Sequence, residues 1–137
     1  MYRRIMVPVD LEHVGALDKA LATAAGLARQ YNGTITYVAV TSPAPGAVAH
    51  DPEAFAATLR HFAHEQGRRH GVETGAITRI SPDPTADLNT TLLDAAEEID
   101  ADLIVMASHV PGAVEHLFAS HAGYVASHAK TSVFVVR

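Results

Sequence analysis

Asp10 is the first residue of this sequence whose type and place invite chemistry, because it closes the apolar run RIMVPV. A carboxylate just past a buried strand can accept hydrogen bonds from ligand hydroxyls, hold a divalent cation, or cap the helix that follows. Farther on, Ser108-His109 and Ser120-His121 each set a hydroxyl beside an imidazole. Such neighbours make a nucleophile only with a mutual hydrogen bond, an orienting acid and an oxyanion site, and the strained G-x-S-x-G elbow is absent. His61 and His64 share one face of a predicted helix, with His70 beyond them, as zinc ligands could. No carboxylate is placed to complete that set, and the face reads as solvated.

These groups need elements to hold them. Arg4 to Val9 is a short β-branched and apolar run, the pattern of a buried strand that delivers Asp10 at its carboxyl end. Val14, Leu17, Leu21, Ala24, Ala25, Ala28 and Tyr31 then recur at helical spacing, and Asn32-Gly33 supplies the stop. Thr34 to Val40 (TITYVAV) reads as a second strand, and the proline-rich stretch from Thr41 to His50 as an irregular crossover. Asp51-Pro52 and Asp83-Pro84 each pair a capping residue with a proline suited to the first helical position. Behind them lie the stripes Phe55, Leu59, Phe62 and Leu88, Leu92, Ala95, Ala96, Ile99. Val72 to Ile80 is a weaker strand of the sheet-edge kind, Asp102 to Ala107 an apolar one, and Ser132 to Val136 the last. Between the final two strands the sequence predicts a loop from Ser108 to Phe118 and a helix over about Ser120 to Ala129.

Five strands alternating with four helices predict an α/β fold. It is a single doubly wound domain over residues 1–137, with a five-stranded parallel sheet in the order 3-2-1-4-5 and helices on both faces. Ligands of such sheets bind beyond the carboxyl ends of the strands, where the order reverses. Here the reversal falls between the first and fourth strands. It brings Pro8, Val9 and Asp10 together with Met106, Ala107, Ser108 and His109, and sets Ser120 and His121 on the same rim at a helix start suited to phosphate.

Composition removes other classes. A formal charge of -5 offers no basic face to nucleic acid, and no apolar run is long enough to insert into a membrane. The absence of cysteine excludes thiol catalysis and thiolate metal sites, and the amino terminus lacks a secretory pattern, so a cytoplasmic location is expected. Neither the Walker loop nor G-x-G-x-x-G is present. A response-regulator receiver needs an acidic pair, a phosphoacceptor aspartate and a late lysine, of which only Asp10 has a counterpart.

MYRRIMVPVD, ADLIVMASH and the closing helix with VFVVR resemble the universal stress protein family over essentially the whole chain. The resemblance implies the flavodoxin-like or adenine-nucleotide alpha-hydrolase-like form of this fold, homodimers, and binding of ATP or AMP, with Mg2+ as a companion ion. The usual family loop reads G-x2-G-x9-G-[ST]. Here Ala107 and Val110 replace its first two glycines, and Ala119-Ser120 align with its end only over a spacer one residue shorter. A short-loop branch, ASH-x-P followed by a GSN helix start, matches ASHVPGAVEHLFASH without a gap, with Ala119 for glycine and His121 for asparagine. Carried over residue by residue, the resemblance sets Pro8, Val9 and Asp10 around the adenosine and Val38 against the adenine. Met106 and Ala107 would line base and ribose, and His109, Ser120 and His121 would face the phosphates. By residue type alone Val38 and Met106 are core positions, and Asp10 is as apt for a cap as for a ligand.

The final strand carries a further expectation. SVFVV is an apolar edge, a liability unless paired, so Val133 to Val136 is expected to join the same strand of a second chain in an isologous homodimer. The reading that follows is a nonenzymatic, dimeric stress or regulatory protein that binds an adenine nucleotide. The alternative is an interaction module of the same fold, without nucleotide, acting on a protein partner such as a transporter. Weak ATP hydrolysis would need a base or metal constellation that the sequence does not define.

Overall fold

The computed structural model describes the backbone of residues 1–108 and 115–137 and the side chains of 1–108 and 121–137. Five parallel strands, β1 (Arg4–Pro8), β2 (Thr34–Thr41), β3 (Glu73–Ile80), β4 (Leu103–Ala107) and β5 (Ser132–Val136), form one sheet in the order β3-β2-β1-β4-β5. The helices are α1 (Asp18–Tyr31), α2 (Pro52–His70), α3 (Pro84–Glu98) and α4 (Glu115–His128), with a 3-10 turn at Val14–Leu17 leading into α1. The predicted fold class and strand order are both found.

Strand alternation sorts the core into two layers. Ile5, Val7, Ile35, Tyr37, Leu103 and Val105 face α1 and α2, where Leu21, Ala24, Ala25, Phe55 and Leu59 meet them. Met6, Val38, Ile104 and Met106 face the other way, onto Leu92, Ala95, Ala122 and Val125 of α3 and α4. Both faces of β1 and β4 are thus covered, which is why those strands read as continuous apolar runs without a polar alternation.

The helix signals work as their chemistry requires. Asp51 accepts from the Ala54 N–H (2.7 Å) and Asp83 from the Ala86 N–H (3.2 Å), each ahead of a proline in the first turn. Asn32 ends α1 with φ 54°, and Gly33 passes so close to the Tyr2 carbonyl that a Cβ there would lie 2.6 Å from it. Two boundaries differ from the sequence reading. The stripe beginning at Val14 opens as a 3-10 turn before becoming α-helix, and α4 begins at Glu115 instead of near Ser120. EHLFAS contains good helix formers and no proline or glycine, so nothing in it delays helix formation until the serine.

Candidate functional site

The site is shaped by where the β1 ladders stop. Successive N–H groups of a strand point to opposite neighbours, and the Val9 N–H donates to the Val38 carbonyl of β2 (2.9 Å). Position 8 therefore faces β4, where proline has no N–H to give. Pairing between β1 and β2 runs through Pro8↔Val38, whereas that between β1 and β4 reaches only Met6↔Ile104. The opening at the predicted reversal of strand order is thus written into the Pro-Val-Asp end of β1.

Beyond Val9 the chain turns back at once. Asp10 Oδ1 accepts from the Glu12 N–H (3.0 Å), Oδ2 lies 2.8 Å from His13 Nδ1, and the Asp10 carbonyl accepts from the His13 N–H (3.0 Å). Asp10 thus holds a tight turn and does not cap α1. The 3-10 turn has His13 at its cap position and gets no side-chain bond there. A carboxylate has about four lone-pair directions, so two of Asp10's remain for a ligand.

A cavity of about 250 Å³ lies against this turn. Its wall comprises Val9, Asp10 and Glu12 after β1, Val40, Thr41 and Ser42 at the end of β2, residues 46–49 of the crossover, Phe55 of α2, and Pro84, Thr85 and Leu88 of α3. The mixture of apolar wall, hydroxyls and one anchored carboxylate is that of a small-molecule site. Val40, Thr41 and Ser42 are residues that the sequence reading missed. Their signal lies in the register: β2 continues for three residues past Pro8↔Val38, so its end has no β1 partner and borders open space.

The predicted site residues separate accordingly. Pro8, Val9 and Asp10 come together at the opening, with Pro8 and Val9 buried and Asp10 partly exposed. Val38 and Met106 are fully buried in the layer under α3 and α4. Ala107 is buried at the end of β4, and the following Ser108 is bound to the last strand. Its N–H and hydroxyl both donate to the Val136 carbonyl, at 2.8 and 3.3 Å. His109 and the side chain of Ser120 lie outside the described residues. His121 sits in the second turn of α4 and bonds through Nδ1 to Asn89 Oδ1 on α3. Since that amide oxygen can only accept, Nδ1 donates and Nε2 is the acceptor of the neutral ring. Burial holds its pKa below the ordinary imidazole value.

Among the described residues, Asp10, Glu12 and His13 bring their ligating atoms within 4.8 Å of one another, unlike the three histidines singled out on α2. Two oxygens and one imidazole suit a borderline or hard divalent ion. His61 and His64 are exposed, as a solvated face requires.

A larger opening, about 580 Å³, lies at the other pole, among Arg4, Leu93, Ala96, Asp100, Asp102 and Lys130. Its charges are already matched: Arg4 pairs with Asp100 (2.6 Å), Lys130 with Glu97 (2.9 Å), and Asp102 accepts the N–H groups of Arg3 and Arg4. The smaller cavity keeps the uncommitted acceptor at the end of the sheet where such folds bind ligands.

Comparison with known proteins shows the family. The model of the universal stress protein family matches residues 1–137. Universal stress protein G of Salmonella typhimurium is 34% identical over 148 residues, with all of both chains covered. Among solved structures, a universal stress protein from Archaeoglobus fulgidus superposes with a TM-score of 0.70 at 25% identity, over 100% of each chain. The structure of the Archaeoglobus fulgidus protein in complex with dAMP gives 0.67 at 25% identity over 99% of this chain and 98% of that one. With an end-to-end family match, a relative above 30% identity and the same five-stranded sheet, the chain belongs to the universal stress protein family.

Proposed function

We propose that this protein binds an adenine nucleotide, ATP or AMP, in the cavity beside Asp10 and acts as a dimeric stress or regulatory protein of the cytoplasm. The observation that carries the reading is the uncommitted half of the Asp10 carboxylate, fixed by Glu12 and His13 at the mouth of a cavity walled by Val9 and Val40. Ribose hydroxyls fit that acceptor, and the adenine fits the apolar wall. The similarity to a protein solved with dAMP supports the same ligand class. In this reading Pro8, Val9 and Asp10 hold the adenosine, with Val38 and Met106 as packed support beneath it. Ala107, His109, Ser120 and His121 form the phosphate side, and Mg2+ accompanies the phosphates near Asp10.

Dimerisation is supported by β5, an edge strand whose Phe134 is 45% exposed. We assign Val133 to Val136 to antiparallel pairing with the same strand of a second copy, which would cover that ring. Ligand occupancy would then be read by a protein partner through the loop after β4. No described helix is long and apolar enough to cross a membrane. Calorimetric titration with AMP and ATP, with and without Mg2+, tests the binding. Heat and a thermal shift at sub-millimolar ligand are expected, and neither at millimolar ligand would refute it.

A further inference from the structure

The corner that joins α1 to β2 holds the one asparagine-glycine step of the chain, Asn32-Gly33. The only other asparagine is Asn89, which precedes the β-branched Thr90. An asparagine side chain ahead of glycine is open to attack by the next main-chain nitrogen, because glycine has no Cβ to shield it. In that reaction the Gly33 nitrogen gives its proton to a solvent base and bonds to Asn32 Cγ, and the side-chain nitrogen leaves as ammonia. Water then opens the five-membered imide. Opening at Cγ gives aspartate, whereas opening at the α-carbonyl gives isoaspartate, whose main chain runs through Cβ and is one methylene longer.

The folded corner keeps the reacting atoms apart. Asn32 is exposed, so water and base reach it, but it ends α1 in the left-handed conformation, with φ 54° and ψ 44°. That ψ turns Cβ almost opposite the Gly33 nitrogen across the Cα–C bond, so Cγ cannot approach it. The nitrogen is also engaged: the N–H groups of Gly33 (2.9 Å) and Asn32 both donate to the Ala28 carbonyl. Local adjustment is blocked on the far side of the corner. A Cβ on Gly33 would lie 2.6 Å from the Tyr2 carbonyl and 3.1 Å from that of Arg3. The Thr34 N–H donates to the same Arg3 carbonyl (2.9 Å) where the β1–β2 ladder begins. Turning ψ to bring Cβ beside the nitrogen therefore requires the end of α1 and the start of β2 to open together.

We propose that Asn32-Gly33 is a conformationally gated modification site. It is inert while the α1–β2 corner is closed, converts through the imide when the corner opens, and in its isoaspartyl form cannot close again. The added methylene has no room where Gly33 passes the main chain of Tyr2 and Arg3, and it displaces the N–H groups of Gly33 and Thr34 from their acceptors. Aspartate is the milder product. It tolerates the left-handed region and adds only a negative charge at the C-terminal end of α1, where Arg29 lies in the last turn. The site thus records that a chain has been open.

The test incubates the chain in mildly alkaline buffer without urea, with sub-denaturing urea, and unfolded in urea. Both asparagines are followed by peptide mass mapping, with chromatographic separation of aspartyl from isoaspartyl peptides. In the unfolded chain Asn32 should convert at least about tenfold faster than Asn89, and at least about tenfold faster than Asn32 in the native chain, whose rate should climb as urea is raised. After return to buffer, isoaspartyl chains should melt below both the unmodified chain and a separately prepared Asn32→Asp chain. They should also lose hydrogen-exchange protection at Gly33 and Thr34. Conversion as fast in the native chain as in urea would overturn the gating. Isoaspartyl chains with wild-type melting and protection would overturn the failure to close, and conversion confined to Asn89 would remove the site altogether.

Discussion

Val38 and Val40 lie two residues apart on β2, and only Val40 borders the cavity. Val38 is level with the last residue of β1 and fully buried, whereas Val40 lies past the point where β1 can cover it. The two positions should therefore separate stability from binding. Val38→Ala removes two methyl groups from a sealed layer and should cost about 2 kcal/mol in denaturant unfolding. Val40→Phe should fill the cavity and weaken AMP at least tenfold, with the melting temperature changed by no more than a few degrees. Equal loss of stability in both variants would mean that Val40 is ordinary core.

Asp10 combines a structural and a binding duty. Asp10→Ala removes the acceptor of the Glu12 N–H and the partner of His13, and should cost about 1 kcal/mol of stability. It should also weaken every adenine ligand by at least tenfold, since a hydrogen bond to a charged group is worth ~1.5–3 kcal/mol. Wild-type affinity in Asp10→Ala would reduce the residue to a turn anchor.

Acid stability should depend on two histidines. Burial holds His121 below the ordinary value of 6.5, and burial followed by Arg69 and Arg29 does the same for His70. As pH falls, the unfolded chain protonates these rings first. Their contribution is complete above about pH 6.5 and is lost as pH drops from there towards the depressed folded values. Melting temperatures measured from pH 7.5 to 5 should fall across that window, and His121→Gln should flatten part of the slope. An unaltered slope would contradict the burial of His121 against Asn89.

The edge strand gives a prediction about assembly. Phe134→Glu places a charge where an exposed aromatic ring would meet its symmetry mate, and should convert a dimer to a monomer in analytical ultracentrifugation at micromolar concentration. The folded monomer should survive, because the substituted ring is not part of the buried core. A wild-type monomer, or a variant that stays dimeric, would contradict pairing through β5.

The fold was legible because its signals are local. Asp51-Pro52 and Asp83-Pro84 announce helix starts within two residues, and the apolar runs IMV and LIVM announce strands buried on both faces. Much of the site was not, because it depends on register. Nothing in TITYVAVT distinguishes Val38 from Val40 until β1 is laid beside β2 and seen to end first. The hydrogen bond between Asp10 and His13 was hidden for a related reason: the spacing fits a helical turn, but the partnership arises from a tight turn before the helix. Ser120 misled in the opposite direction, since a hydroxyl is a common cap and yet the helix already runs through it from Glu115.

The central claim is that an adenine ligand occupies the cavity at the carboxyl ends of β1 and β2. Its most direct test is a nuclear magnetic resonance titration of the labelled chain with AMP, following backbone amides. Shifts should concentrate at Val9, Asp10, Val40, Thr41 and Ser42. An unperturbed spectrum at millimolar AMP, or shifts confined to Arg4, Asp100 and Lys130 at the opposite pole, would contradict it.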